Sequence, residues 1–599
     1  MHKLSKYLLT GLKAILIYVA IQAVSVNLFA LLPTLDLAGE WGIRNLTSAL
    51  FPYNFSAFAL LAFAGILTVR TPNTAGPRDL VFSLVCATLW LLGYGYYTNN
   101  SCSILYCRKI SMIFTVLVWL GAVCFLLSLL QWMKRFYHAL RARELSLPAF
   151  LAKHCFLSAW GLAFLCWLPY IILRYPAGIE YDAYYQIEEF LGILPMTAHW
   201  PPFSSALMGA WVWLGNALFH SYNIGVFLFV LFQSLVCSAI FAYTVLAMKR
   251  LGIRPIWRVI CALIYALATI FPNYLTAVIK DALYASMVVL FTALLAECLF
   301  LPRKKLRIAG LAVSGLLMCM LRNNGVYVLL ICIIALGAYV LVKRNKLYLP
   351  LLLAMILSCG LNVCYSHALT ALGISAGSIA EALSVPFQQT ARYVSTYPED
   401  VTEEEAEIIR GVLDYDSLPQ LYDPNLSDPV KATYHGDNQA LTAYLGVWVK
   451  QFFRHPSVYF AATLNNSCGY YYPFAQNQIF YSTTRSEDVL QFDECQALAG
   501  AKKGLSDYVA LFETIPVLRV TSSAGFQTWI VLFLLLTVLF RREKKPLLLL
   551  LPALIGIAVC IASPTYTVNG VRYALPVIYY TPMLAGICLF RDPSAASGA

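Results

Sequence analysis

Long apolar stretches recur from one end of this 599-residue chain to the other. A helix of about 17–25 apolar residues is long enough to cross a hydrocarbon core of roughly 30 Å. A soluble fold could not hide this much apolar surface, since 60% of the residues are hydrophobic, 12% are charged and the mean hydropathy is +0.69. The sequence predicts an all-α polytopic membrane protein with about fourteen transmembrane helices, at residues 10–33, 51–69, 79–97, 111–133, 155–173, 223–247, 256–273, 282–301, 308–321, 325–342, 347–368, 523–540, 546–563 and 571–590.

The basic residues predict how these helices are oriented. Lys and Arg concentrate in the short cytoplasmic loops of membrane proteins. Here every second predicted connection is basic, so that 26 basic residues fall on one side of the membrane. The short loops of the other side hold seven: Arg44, Arg108, Lys109, Arg174, Lys280, Arg322 and Arg572. We therefore expect a multi-pass protein of the cell membrane with both termini in the cytoplasm. The net charge of +12 follows from this bias and does not indicate a nucleic-acid partner.

One apolar segment is expected not to cross. Residues 203–219 are apolar enough to span, but a crossing there would move every later basic cluster to the outer side. One apolar helix that does not cross agrees better with the distribution of charge than the reversal of all these clusters. Trp200, Trp211 and Trp213 suit the headgroup region of a bilayer. The segment is predicted to be an interfacial or re-entrant helix on the outer side.

The predicted helices divide the chain into four regions. These are an N-terminal four-span region (1–150), a seven-span core with an outer loop at 175–222 (151–368), an extracytoplasmic, mainly helical domain (369–520), and a C-terminal three-span region with a short cytoplasmic tail (521–599). We refer to residues 369–520, which hold 18 acidic and 9 basic residues, as the polar segment.

Four cysteines lie in outer segments, and the disulfides Cys102–Cys107 and Cys468–Cys495 are possible outside the cell. The sequence leaves their pairing open.

Several charged and polar residues are predicted to meet at the outer ends of the core helices. They are Glu180, Tyr181, Asp182 and Gln186 after the span 155–173, His199 before the interfacial helix, Lys280 and Asp281 between two spans, and Arg322 and Asn323 in a tight turn. A carboxylate can act as a general base toward an acceptor hydroxyl or amine. Cations can stabilise the charge that grows on a phosphate leaving group. The simpler alternative is that Lys280 and Asp281 pair at a helix end and that Arg322 reaches lipid headgroups.

The core also resembles a known family. A span, an outer loop with an acid, and the element His199-Trp200-Pro201-Pro202 that opens an interfacial helix resemble the GT-C superfamily of membrane glycosyltransferases. The protein mannosyltransferase and aminoarabinose transferase branches are the most similar, together with uncharacterised bacterial multi-pass proteins of the GT-C type. The resemblance covers residues 151–368 well and the rest in outline.

The resemblance implies an integral-membrane glycosyltransferase. It would move a sugar from a polyprenyl-phosphate donor to a lipid, glycan or protein acceptor at the outer face. By resemblance, Asp182 is the base or acceptor-orienting acid, Asp281 is a second acid, Lys280 and Arg322 hold the phosphate, and His199 shapes the donor site. Tyr181, Gln186 and Asn323 complete the candidate substrate-binding residues. The superfamily has metal-dependent and metal-independent members, so a divalent metal cofactor stays open.

Two other classes of protein are compatible with the sequence. The first is a membrane transporter or lipid flippase. Against it, the chain halves show no repeat, and the candidate polar residues gather at one membrane face rather than at the midplane. The second is a non-catalytic membrane scaffold that uses the polar segment as its binding module. Consumption of a polyprenyl-phosphate sugar would distinguish a glycosyltransferase from both of these alternatives.

Overall fold

A computed structural model of the protein describes residues 2–32, 42–52, 54–69, 75–143, 145–476, 489–566 and 570–591. These residues are mostly helical, because a helix satisfies its own backbone polar groups within one apolar segment. The N-terminal region contains α1 (His2–Ser25), α2 (Phe55–Val69), α3 (Pro77–Asn99) and α4 (Lys109–Ala142). The core contains α5 (Cys155–Leu173), α6 (Tyr181–Phe190), α7 (Pro202–Phe219), α8 (Tyr222–Arg250), α9 (Pro255–Leu267), α10 (Lys280–Phe300), α11 (Lys305–Leu321), α12 (Gly325–Lys343) and α13 (Leu349–Ala371).

The second half of the chain is built in the same way. The polar segment contains α14 (Ser384–Thr396), α15 (Glu403–Arg410), α16 (Asn438–Arg454), α17 (Pro456–Asn466) and α18 (Ala499–Thr514), and the C-terminal region contains α19 (Ala524–Leu539), α20 (Pro546–Ile561) and α21 (Val571–Leu589). Two strands of two residues each, β1 (Gly178–Ile179) and β2 (Ala277–Val278), form the one sheet within the described ranges. Short helices connect these elements at Leu28–Leu31, Gly42–Leu50, Ala149–Lys153, Ile270–Leu275, Leu418–Leu421, Asp428–Lys431 and Pro516–Arg519.

Each of the fourteen predicted membrane segments overlaps one of these helices, although the segment 256–273 runs past the end of α9 at Leu267 and the segment 10–33 past the end of α1 at Ser25. Within the part of the chain that the structure describes, eight helices are long and apolar enough to cross a membrane: α1, α3, α4, α5, α8, α10, α12 and α13. Four further apolar helices, α2, α9, α19 and α20, are shorter. The structure therefore supports an all-α, multi-pass membrane protein with eight candidate spans.

Helix α10 is the centre of the bundle. The apolar window of α10 is 89% buried inside the protein, against 22% for α5. Its neighbours are α8, α11, α20 and α21. Because α10 is enclosed by protein, its first turn lies where several helices converge.

Helix α7, the segment expected not to cross, is not among the eight candidate spans. Just before α7, the N–H of Ala198 donates to the carbonyl oxygen of Ser375 at 2.8 Å. Just after α7, the amide nitrogen of Asn223 donates to the carbonyl oxygen of Asp493 at 3.2 Å. Both ends of α7 therefore adjoin the polar segment, which fits a helix that stays at one face of the bundle.

The polar segment has a hydrophobic core of its own, which includes the buried side chains Phe387, Ile409, Leu418 and Tyr444. It is joined to the end of α3 through Asn100, whose carbonyl oxygen accepts a hydrogen bond from Asn465 Nδ2 at 3.2 Å. Asn100 Oδ1 accepts a second hydrogen bond, from Asn425 Nδ2, at 3.2 Å.

The four cysteines considered for disulfides, Cys102, Cys107, Cys468 and Cys495, are all free thiols.

Candidate active site

The two short strands bring distant parts of the chain side by side. β1 and β2 pair in parallel, with Gly178 opposite Ala277 and Ile179 opposite Val278. In a parallel pair both chains run the same way, so the residues after each strand emerge at the same end. One residue after β1 the chain enters α6, and one residue after β2 it enters α10. The pairing therefore places the first turns of these two helices next to each other.

Buried polar side chains hold this pair of strands in place. Gln233 of α8 donates from Nε2 to the carbonyl oxygens of Leu275 (3.0 Å) and Ala277 (2.9 Å), on either side of the start of β2. Arg174, at the end of α5, donates to the carbonyl oxygen of Asn273 at 3.0 Å. A backbone carbonyl buried in a membrane protein must find a donor inside the protein. These side chains supply the donors and fix the geometry of both first turns.

Asp182, in the first turn of α6, lies between two cations. Its Oδ2 atom is 2.9 Å from Lys280 Nζ and 3.4 Å from Arg572 Nη1. Arg572 also contacts Glu180, at 2.8 Å from Oε1. Glu180 is the N-cap residue of α6 and accepts a hydrogen bond from the N–H of Asp182 at 3.1 Å. Residues from three separate regions of the chain thus meet at one helix start.

A second ion pair lies beside the first. Arg322 is hydrogen-bonded through Nη1 to Oδ1 of Asp281. The Arg322 guanidinium lies 4.8 Å from the centre of the Tyr573 ring and 5.8 Å from that of Tyr284. Arg572 approaches Tyr573 as well, at 5.2 Å. Tyr573 therefore contacts both guanidinium groups and keeps them close together.

We call these six side chains the ionic cluster: Glu180, Asp182, Lys280, Asp281, Arg322 and Arg572. Its three acids and three bases balance one another. Burial and the negative charge of Asp182 raise the pKa of Glu180, and Arg572 only partly opposes them. Burial would also raise the pKa of Asp182, but Lys280 and Arg572 outweigh it and hold that pKa below its usual range. Asp182 is therefore ionised and Glu180 is the acid that protonates more readily.

A narrow crevice extends from the ionic cluster between α10, α12, α20 and α21. Its lining is Tyr284, Val288, Arg322, Asn324, Val328, Pro552, Gly556, Val559, Tyr573 and Pro576. On α10 the lining passes from Tyr284 to Val288, and on α12 from Asn324 to Val328. Residues four positions apart lie one above the other on a helix. The lining of the crevice therefore changes from polar to apolar within one helical turn, on both α10 and α12.

The structure brings together four of the eight residues predicted for the site: Asp182, Lys280, Asp281 and Arg322. Of the others, Tyr181 is exposed beside Asp182, and Asn323 is exposed in the turn before α12. His199 lies against the ring of Trp200, with 4.7 Å between the ring centres.

Gln186 occupies a different position from the one expected of a substrate-binding residue. It is completely buried, and its Nε2 atom donates to the hydroxyls of Ser204 (2.6 Å) and Ser205 (3.2 Å). Because both serines belong to α7, Gln186 braces α6 against α7. In this structure it has no surface toward the ionic cluster.

Arg572 was not among the predicted site residues, whereas Glu180 was predicted to lie beside Asp182 at the outer face without an assigned role. Arg572 was visible as one of the seven basic residues on the predicted outer side, and it opens the last predicted span. Its contact with α6 depends on how α21 packs against α10, which one sequence does not reveal. Within the described ranges, no group of three or more His, Cys, Asp or Glu side chains has the arrangement of a metal site.

Fold and site together define an all-α, multi-pass membrane protein with a charge-balanced ionic cluster at the start of its central helix. By family, the chain belongs to DUF6020, a family of unknown function whose model matches residues 194–596. The match covers about two thirds of the chain, including Lys280, Asp281, Arg322 and Arg572, and begins after Asp182. No curated protein and no solved structure matches the chain.

Proposed function

We propose that this protein is an integral-membrane glycosyltransferase of the GT-C type. It would move a sugar from a polyprenyl-phosphate donor to an acceptor at the outer face of the membrane. The observation that carries the proposal is the ionic cluster at the polar end of a crevice that becomes apolar one turn further along. A phosphate joined to a long hydrocarbon chain requires a charged site for the phosphate and, next to it, an apolar surface for the chain.

The donor phosphate would be held by Lys280, Arg322 and Arg572. Guanidinium groups match the geometry of phosphate oxygens and bind them with two parallel hydrogen bonds. The hydrocarbon chain would leave the phosphate along the apolar part of the crevice, past Val288 and Val328. The crevice is narrow in this structure, so α12 and α20 would have to move apart to admit the chain.

Asp182 would accept the proton of the acceptor. In the transfer step, the acceptor oxygen attacks the anomeric carbon of the sugar. The bond between that carbon and the phosphate oxygen breaks, and the polyprenyl phosphate leaves with the bonding electrons. The carboxylate of Asp182 takes the proton that the acceptor loses. The cations stabilise the charge that grows on the leaving phosphate.

The ion pairs around Asp182 connect donor binding to the strength of this base. While Lys280 and Arg572 pair with Asp182, its lowered pKa makes it a weak base. A donor phosphate that takes up these two cations would weaken their hold on the carboxylate. The pKa of Asp182 would rise toward its ordinary value, so the base would become stronger when the leaving group is bound.

For the topology we propose fourteen spans, both termini in the cytoplasm and a GT-C-like core at residues 151–368. In a variant without the four outer cysteines, cysteines introduced one at a time at positions 400 and 545 are expected to differ in their reaction with a membrane-impermeant maleimide added to intact cells. Position 400 should label, and position 545 should label only after permeabilisation. Labelling of position 545 in intact cells would contradict this topology.

Turnover is the first test of the function. Purified protein in nanodiscs, given a lipid extract that contains radiolabelled polyprenyl-phosphate sugars, is expected to release free polyprenyl phosphate as the sugar is transferred. The control is Glu404→Gln, an exposed acid of the polar segment, which should react like the unmodified protein. Intact donor after incubation with the extract would contradict the proposal.

A lipid flippase is the second candidate, because the same cations could bind the phosphate of a lipid that is only translocated. Sealed vesicles separate the two functions. A flippase would move a fluorescent polyprenyl phosphate between leaflets without cleaving a donor. A glycosyltransferase would cleave the donor in vesicles and nanodiscs alike.

A further inference from the structure

We propose that Tyr181, Tyr185, His199 and Trp200 form a binding platform for the sugar ring of a glycan acceptor. The inference rests on the proposed function and deepens it, because it selects a glycan from the lipid, glycan and protein acceptors left open. The platform is an aromatic surface beside Asp182, and its rings come from α6 and from the loop that precedes α7.

The four rings pack against one another as one cluster. The planes of Tyr185 and Trp200 lie within 3° of each other, with 6.1 Å between ring centres. Tyr181 meets Tyr185 edge-on at 4.9 Å, and His199 meets Trp200 edge-on at 4.7 Å. Tyr181 is 53% exposed, and His199 is also exposed. The surface is therefore reachable at its Tyr181 and His199 ends.

The loop that presents Trp200 is held rigidly by a buried acid. Glu189, only 4% exposed, accepts hydrogen bonds from the N–H and the hydroxyl of Thr197, both at 3.0 Å. Its other carboxylate oxygen accepts from the hydroxyl of Ser205 at 3.2 Å. Gly377 packs closely over this loop, because a Cβ atom there would lie 3.0 Å from the Cα of His199. The platform is thus fixed in position before any ligand binds.

The platform adjoins the proposed base. Tyr181 is next to Asp182 in sequence, and Tyr185 lies three positions after it on α6. Residues three apart share one face of a helix. A sugar ring bound at the exposed side of this aromatic cluster would therefore lie within one turn of α6 from Asp182.

The chemistry of the platform fits a pyranose ring better than a hydrocarbon chain. Aromatic faces carry partial negative charge, and they attract the C–H groups that cover one face of a sugar ring. Rigid rings also bind at a small cost in conformational entropy. The neighbouring exposed aliphatic side chains, Ile193 and Leu194, suit lipid instead. We therefore assign the rings to a glycan acceptor and the aliphatic side chains to the bilayer.

The test is a binding experiment that needs neither donor nor turnover. Protein in nanodiscs is titrated with cellotetraose, chitotetraose and mannotetraose, and binding is followed by saturation-transfer NMR. At least one of the three is expected to bind. Trp200→Ala should weaken that binding about 3- to 10-fold, which is the usual contribution of one aromatic contact. Trp200→Phe should keep most of the affinity, and Trp213→Ala, an exposed tryptophan of α7, should not change it.

Three results would overturn the platform: no binding of any of the three sugars, equal binding by Trp200→Ala, or quenching of Trp200 fluorescence by brominated acyl chains. Quenching is measured as the difference between the unmodified protein and Trp200→Phe, and it would place the ring in the bilayer. A failure of the proposed function looks different. In that case the sugars would bind and respond to Trp200→Ala, while no polyprenyl-phosphate sugar would be consumed.

Discussion

Replacing Asp182 with Asn is expected to lower turnover by about 10²–10⁴-fold, the usual contribution of a general base. The substitution keeps the size of the side chain and its hydrogen-bonding capacity, but it removes the basicity. The same variant should bind donor more tightly. The ionic cluster of three acids and three bases would then carry one positive charge in excess, and a phosphate would neutralise it.

The measurement is a comparison of kcat and KM for the donor in nanodiscs, with a phosphate-binding assay on the same preparations. A lower kcat together with a KM that is unchanged or lower supports the role of Asp182 as base. An acid that only held Lys280 in place would give a different result, because its loss would disorder the cation and raise KM. Full turnover in Asp182→Asn would remove this residue from catalysis.

The control for this experiment must lie outside the ionic cluster. Glu180 is close in sequence, but it contacts Arg572 at 2.8 Å and caps α6. Glu180→Gln would therefore disturb the same cations as Asp182→Asn. The exposed Glu404 has the same charge without those contacts, and Glu404→Gln should leave both kcat and KM unchanged.

Much of the fold could be predicted from the sequence because a membrane imposes strong constraints. An apolar stretch of sufficient length has few alternatives to a helix in a bilayer. This is why each of the fourteen predicted segments overlaps a helix. The lengths of individual helices depend on local breaks such as the one after Leu267, so in the described part of the chain eight helices reach the length and hydropathy of a clear span.

The site could be predicted only in part. Asp182, Lys280, Asp281 and Arg322 share a predicted side and helix-end positions, and those two properties were enough to place them together. The pairing of β1 with β2 was not predicted, because strands of two residues show no alternation of polar and apolar side chains. The contact between Arg572 and α6 depends on that pairing and on the packing of α21, so it could not be predicted either.

The position of the Gln186 side chain could not be predicted from the sequence either. It lies four positions after Asp182 on a helix, and this spacing alone would put the two side chains on one face. The structure directs Gln186 to Ser204 and Ser205 instead. The position of α7 decides which face of α6 is buried, and a single sequence does not show where α7 packs.

Replacing Arg322 with Gln is expected to have the largest effect on stability. Asp281 is 2% exposed, and the substitution would leave its charge without the partner that it has in the structure. Breaking a buried ion pair from one side typically costs about 3–5 kcal/mol. Thermal inactivation of the variant in detergent should therefore occur at a clearly lower temperature than that of the unmodified protein.

A double variant separates this structural effect from the proposed binding of phosphate. Arg322→Gln combined with Asp281→Asn removes both charges and leaves two amides that can hydrogen-bond to each other. Most of the lost stability should return, because no unpaired charge is left buried. Donor KM should stay raised, since the guanidinium that binds the phosphate is still missing.

The matched control for the pair lies at the other end of α10. Arg250→Gln removes a partner of the fully buried Glu297, at 3.0 Å in the structure, and leaves Arg307 in contact with it. This variant should lose some stability without any change in donor KM, because it lies far along the helix from the ionic cluster. If Arg322→Gln were as stable as the unmodified protein, Arg322 would not have the structural role assigned to it. If the double variant recovered a normal KM for the donor, Arg322 would not have the phosphate-binding role.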